Sequence, residues 1–236
     1  YMSLKLTNTA VVLAAVASPV VAQGITGGSL GIEWGAPTDL ETLGSTTYRS
    51  AVEYSFNHNM GISADLSGYS FNSTEDNGTS LTLHGIYHLS DSASAGVFVG
   101  ADSTNGTGNP VYGIEAGSEI LEGHVEGYVG LLDSDNAATL FGISGEYDVI
   151  NGFAAIGSFD LSSSDDGDGV NRFAIGTEYT MDNGPSFFAE VGQTNVDTSG
   201  VSSSATFIGI GAKVALGAGR GTTFGPRSAF ETTSGF

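Results

Sequence analysis

The chain has 236 residues and a formal net charge of −20, with 26 carboxylates against six Lys and Arg. That balance excludes nucleic acid as a partner, since neutralising phosphates requires Lys and Arg, and it favours cations. Zero Cys excludes disulfides, thiol catalysis and thiolate metal sites together, and charged residues reach only 14%, well under the about 25% of soluble domains.

In chain order, residues 1–22 read as a secretory signal peptide. Lys5 supplies the positive region, Ala10 to Val16 the apolar core, and Val20-Val21-Ala22 a small-residue cleavage site before Gln23. Pro19 and the shortness of the apolar run argue against a membrane helix. Residues 23–216 then show one repeated rhythm. Segments of roughly ten residues alternate large apolar with small or polar side chains, the period-two signature of strands with one apolar and one polar face.

The rhythm predicts twelve strands, at Ser29–Gly35, Thr47–Phe56, Met60–Phe71, Ser80–Leu89, Ala93–Asp102, Val111–Ile120, Gly123–Asp133, Thr139–Val149, Phe153–Leu161, Asn171–Met181, Ser186–Asn195 and Ala205–Leu216. No helical stretch interrupts them, so the fold class is all-β, a transmembrane up-and-down antiparallel barrel. Connections alternate between short turns and longer loops, which places both termini on the short-turn, periplasmic side. On the second strand Tyr48, Val52, Tyr54 and Phe56 share the outward face, and Arg49, Ala51, Glu53 and Ser55 the inward one. Aromatics near strand ends, Trp34, Tyr54, Phe56, Tyr87, Tyr112, Tyr147, Phe159 and Tyr179, suit interfacial girdles.

Residues 217–236 break the pattern as a Gly-rich tail that is periplasmic, luminal or a closing strand; closing strands would bring the count to fourteen.

The inward parity gives the candidate pore lining: Glu53, Asp65, His84, His88, Glu115, Glu119, His124, Glu126, Glu146, Asp148, Asp160, Glu178, Glu190 and Lys213, with Arg49. Carboxylates in a low-dielectric wall enrich cations. Many inward positions are small, among them Gly96, Gly100, Gly113, Gly117, Gly130, Gly142, Gly176, Gly192, Gly209 and Gly211, which favours an opening. A packed or plugged lumen is the competing expectation.

His84 and His88, four apart on one strand, stand about 13 Å apart and cannot chelate one metal together. Asp165, Asp166 and Asp168 offer oxygen ligands of the kind Ca²⁺ or Mg²⁺ takes, but without the twelfth-position Glu of an EF-hand. They are weak candidates for divalent cations at an external loop, and solvated turns are the plainer reading. No cofactor is expected. No strand-to-helix nucleophile elbow, His-Glu-x-x-His or phosphate-loop motif is read, so no enzyme activity is expected.

The leader, the strand–turn parity, the Gly-Thr-Glu-Tyr type strands (176–179) and terminal Phe236 resemble the porin-type outer-membrane β-barrel proteins of Gram-negative bacteria. The resemblance is architectural and covers most of the mature chain. It implies residence in the outer membrane among its lipids and lipopolysaccharide, and passive diffusion of small hydrophilic solutes, here with a cation preference. The alternative within the same class is a non-conducting structural or adhesion barrel. Oligomeric state is not readable. One departure is plain: the family ends on a strand, whereas this chain continues for about twenty residues.

Overall fold

The computed structural model describes residues 24–38, 44–71, 77–104, 106–134, 136–182, 184–217 and 221–232. The expected leader and the terminal Phe236 lie outside them. Twelve strands close into one antiparallel barrel: β1 (Ile25–Pro37), β2 (Ser45–Ser55), β3 (Met60–Phe71), β4 (Asn77–Ser90), β5 (Ala93–Thr104), β6 (Thr107–Ile120), β7 (Gly123–Leu132), β8 (Ala138–Ile150), β9 (Phe153–Ser164), β10 (Gly169–Thr180), β11 (Ser186–Thr198) and β12 (Val201–Gly217). Each strand pairs with its sequence neighbours, and β1 pairs with β12 from Gly27↔Gly217 to Pro37↔Phe207, so no edge is left open. In hydrocarbon every backbone N–H and C=O must find a partner, and closure supplies all of them.

Fourteen strands are thereby excluded for the described residues: β12 returns to β1, and the tail adds none. Several strands also run further than the apolar rhythm indicates. β6 begins at Thr107 and takes in Pro110, while β11 and β12 meet across Ser199-Gly200, both with positive φ (51° and 80°). Two of the expected long loops are therefore tight hairpins. The alternation of loop lengths is weaker than the sequence suggests, because polar Ser and Thr at strand ends continue the ladder without continuing the hydrophobic pattern.

Period-two alternation fixes the facing of nearly every strand. Ile32, Tyr48, Val52, Ile62, Leu66, Leu81, Leu83, Val97, Val99, Ile114, Val129, Ile143, Ile175 and Ile210 are all exposed on the outer surface. Their alternates, such as Thr47, Ser63, Asp65, Thr82, Glu115 and Thr194, are buried inside. A soluble protein would not expose so continuous an apolar surface. Near the short-turn end, Tyr54–Phe56 and Phe153–Tyr179 form aromatic pairs at 5.2 and 4.7 Å. Rings that are amphipathic or bulky suit the depth where hydrocarbon gives way to headgroups.

After Gly217, at the short-turn end, the described chain resumes at Gly221 inside the barrel. Phe224, Arg227 and Ser228 are buried there, and Ala229–Thr232 forms one turn of 3-10 helix. Of the three places open to the tail, its described residues occupy the lumen.

Candidate functional site

The interior is built from two kinds of contact, acid on tail and aromatic on glycine. The tail rises from the short-turn end toward the loop end, held at each step by a wall side chain. At its foot the Thr223 N–H donates to Glu53 Oε2 (2.6 Å) on β2. Phe224, 1% exposed, lies over Gly96 and Gly117 with its ring centroid 6.4 Å from that of His84. Burying such a side chain is worth about 1.5–3 kcal/mol. Higher up, the Ala229 N–H donates to Asp102 Oδ2 (2.7 Å). Phe230 packs against Tyr69 at 4.8 Å and fills the space over Gly78. Glu231 accepts from Tyr69 Oη (2.7 Å) and from Arg49 Nη2 (2.9 Å).

Arg227 is the centre of this arrangement. Its Nε donates to Glu115 Oε2 (2.8 Å) on β6 and its Nη2 to Glu126 Oε2 (3.1 Å) on β7. The guanidinium carbon lies 4.7 Å from the centre of the Tyr128 ring, and its backbone carbonyl accepts from Thr82 Oγ1 (3.1 Å). Burial lowers the Arg227 pKa, but Glu126 and Glu115 more than offset this and hold it well above the usual arginine value. Such charge-assisted, desolvated pairs hold a segment in place far better than surface ion pairs do.

The Arg227 cluster continues across the wall. Glu115 Oε1 lies 2.7 Å from His84 Nδ1, and His84 Nε2 lies 3.0 Å from Asp65 Oδ2. As an imidazolium, His84 serves both carboxylates at once, giving a line of alternating charge from Asp65 through His84, Glu115 and Arg227 to Glu126.

The remaining sequence-derived positions fall as follows. His88 Nδ1 lies 2.8 Å from Ser94 Oγ, and His124 and Glu119 approach to 3.8 Å near the short-turn rim. Lys213 Nζ pairs with Glu178 at 2.7 Å and stands 3.7 Å from Glu146. Asp160 accepts from Tyr128 Oη (3.3 Å), and Glu190 pairs with Arg172. Asp148 is exposed at the short-turn end of β8. In the loop, Asp168 Oδ1 accepts the Ser199 N–H (2.7 Å) and so ties two hairpins together. Asp165 and Asp166 join no metal-ligating set, and among the described residues no group of three His, Asp or Glu is arranged to hold a metal.

The reading of the inward glycines as an opening is corrected by the structure. Most are seats for rings, while Gly100, Gly176 and Gly209 are crowded by neighbouring backbone or by Glu190. A Cβ on Gly142 would lie 2.1 Å from Tyr128, and one on Gly192 would lie 2.4 Å from Phe207 and 2.2 Å from the Phe173 carbonyl. Phe98 lies over Gly113 and Gly130 in the same way, and Phe188 over Gly211. Phe98, Val111, Tyr128 and Leu140 form a buried apolar cluster within the barrel. At the short-turn rim, a pocket lined by Ser94, Gly117, Glu119, His124 and Thr223 holds about 10 Å³. A Gly192→Ala substitution is therefore expected to cost about 1–3 kcal/mol by overpacking, read as a lower unfolding midpoint in detergent. Had the glycines lined open water, the added methyl would cost almost nothing.

Sequence reasoning missed the inward aromatics, because outward parity for aromatics was assumed throughout. It also missed Asp102, Arg172 and the whole anchoring role of 221–232. One signal was available: Arg227 is one of only six bases and stands outside every strand.

The closed, antiparallel twelve-strand barrel with an apolar exterior is a porin-type outer-membrane barrel fold. No family model matches the chain, and no curated protein matches it in sequence. Among solved structures it is similar to the NanC porin (13% identity, TM-score 0.61, 79% of this chain and 100% of that one). It is likewise similar to the KdgM porin (12% identity, TM-score 0.57, covering 80% and 99%). The CymD monoaromatic hydrocarbon channel shares the fold at 7% identity and TM-score 0.53, covering 84% and 90%. KdgM has also been solved in complex with disordered oligogalacturonate. At these identities the likeness is one of fold.

Proposed function

We propose that this protein is an outer-membrane channel for small hydrophilic solutes, cation-preferring, whose lumen is closed by its own C-terminal segment. The observation that carries the reading is the binding of 221–232 by wall carboxylates from four strands, Glu53, Asp102, Glu115 and Glu126. These contacts are polar and charge-assisted and sit in a scaffold that closes without the tail. A plug held in this way separates by breaking these polar contacts and exposing Phe224 and Phe230, without unpairing any strand of the barrel. The named neighbours are porins and a channel, which supports conduction as the basic task.

Three of the acids read from the sequence as a lining for permeant cations, Glu53, Glu115 and Glu126, act in this closed state as ligands for the tail. Their exposure to solutes belongs to the open state. Single-channel recording on the purified full-length protein tests this. Long closed periods broken by openings, with openings favoured by applied voltage, are expected.

A second reading has one observation in its favour. The interior holds an apolar cluster as well as the tail, so the barrel could serve envelope integrity or adhesion without conducting. Absence of current at every voltage, in the wild type and in variants that free the tail, would decide for it.

A further inference from the structure

We propose that the site gripping Arg227 is a recognition site for the alkylguanidinium group of a small basic solute, with Arg227 as its built-in competitor. This rests on the reading of the barrel as a channel that opens when the tail leaves.

The site belongs to the wall. Glu115 on β6 stands directly opposite Tyr128 on β7, and Glu126 lies two residues before Tyr128 on that strand. Two adjacent paired strands thus present both carboxylates and the ring, with no help from the tail. The three groups match a guanidinium in particular. Glu115 takes the Nε–H, Glu126 takes an Nη2–H, and the guanidinium carbon stands over the Tyr128 ring, 4.7 Å from its centre. An ammonium could satisfy the charge but offers neither a planar fork nor a flat face. The fit is close, since the Arg227 side chain is only 4% exposed.

Other interior arginines do not have this character. Arg49 and Arg172 sit on β2 and β10, and their pairing with Glu33 and Glu190 is wall against wall. Arg227 alone, among the described residues, is brought to its carboxylates by a segment outside the sheet. If that segment withdraws, Glu126 is left facing the lumen without its cation and Glu115 with His84 as its one remaining partner, and the vacancy has the shape of the group that left.

A competitor tethered a few residues from the barrel wall acts at an effective concentration on the order of mM. An external solute therefore needs mM levels to displace it, and binding of solute opens the path that solute takes.

The chain contains no Cys, so a single introduced thiol is a clean reporter. Ser228 is 0% exposed, and a thiol there reacts with a charged, membrane-impermeant maleimide only when the tail withdraws. In full-length Ser228→Cys protein, ethylguanidinium chloride at about 20 mM, chosen to exceed the tether, is expected to speed labelling roughly tenfold. Ethylurea, its uncharged analogue, and NaCl at equal ionic strength are expected to leave the rate unchanged. In a Glu115→Gln/Glu126→Gln background, labelling should be fast and insensitive to the probe.

Equal acceleration by NaCl would show charge screening alone and overturn the guanidinium site. So would no response to ethylguanidinium in a protein whose labelling is accelerated by Arg227→Ala. Both results leave the gated channel standing. Failure of labelling in every variant, Arg227→Ala included, would instead overturn the channel reading itself. If Ser228→Cys does not give a folded, heat-modifiable barrel, Thr223→Cys, 6% exposed at the foot of the tail, reports the same withdrawal.

Discussion

Replacing Arg227 by Met is expected to turn a mostly closed barrel into a mostly open one. Met keeps an apolar stem over Tyr128 but leaves Glu126 buried beside the tail without its cation and Glu115 with His84 alone. Removing one partner of a buried ion pair costs about 3–5 kcal/mol. Here that cost falls on the docked state alone, because undocking lets water reach both carboxylates. At about 1.4 kcal/mol per tenfold, the docked population should fall by roughly two to three powers of ten. Open probability in bilayers should rise accordingly, and tail amides from Thr223 to Ala229 should lose hydrogen-exchange protection. Adding Glu115→Gln and Glu126→Gln to Arg227→Met should restore part of the docking, since no buried charge is then uncompensated. An Arg227→Met protein with unchanged current and a protected tail would refute the plug.

The barrel was legible in the sequence because lipid outside and polar groups inside impose a period of two on every strand. Val97 and Val99 point out at 61% and 56% exposure, while the intervening Phe98 points in at 3%. Phe98 also shows where that legibility stops. Parity gives its face, but parity cannot say that its ring will lie on Gly113 and Gly130, two positions that read by themselves as empty space. Whether an inward glycine is a hole or a seat depends on a neighbouring strand's side chain, and that neighbour is set by register.

The tail was less legible still. Residues 221–232 carry no period, and their contacts join residues 112 apart for Arg227–Glu115 and 170 apart for Thr223–Glu53. Local pattern cannot register such contacts. What composition does register is scarcity: in a chain with six bases and 26 carboxylates, each base that is not on a strand has many possible partners inside. Parity puts the inward acids on one face of their strands, yet the partner of Glu53, Glu115 and Glu126 in the closed state comes from outside the repeating pattern.

Once the tail is out, the open lumen is expected to prefer cations. Glu53, Asp65, Asp102, Glu115, Glu119, Glu126, Glu146, Asp148, Asp160 and Glu178 then face Arg49, Arg172 and Lys213. A fixed excess of negative charge enriches counter-ions within the Debye length, about 8 Å at physiological salt and about 3 Å at 1 M. The reversal potential of the Arg227→Met channel in a low-salt gradient should therefore show cation preference, and the preference should shrink toward 1 M salt. Charge and gating can be separated by position. Glu146 and Glu178 pair with Lys213 and do not touch the tail. Their replacement by Gln should lower selectivity with little change in open probability. Lys213→Ala should raise selectivity, because it removes a base from the lumen. Glu115→Gln and Glu126→Gln in the wild-type background should do two things together, lowering selectivity while increasing opening, because the same carboxylates hold Arg227 when closed and face the solute when open. Anion preference at low salt would show that the freed carboxylates do not set the field of the open lumen.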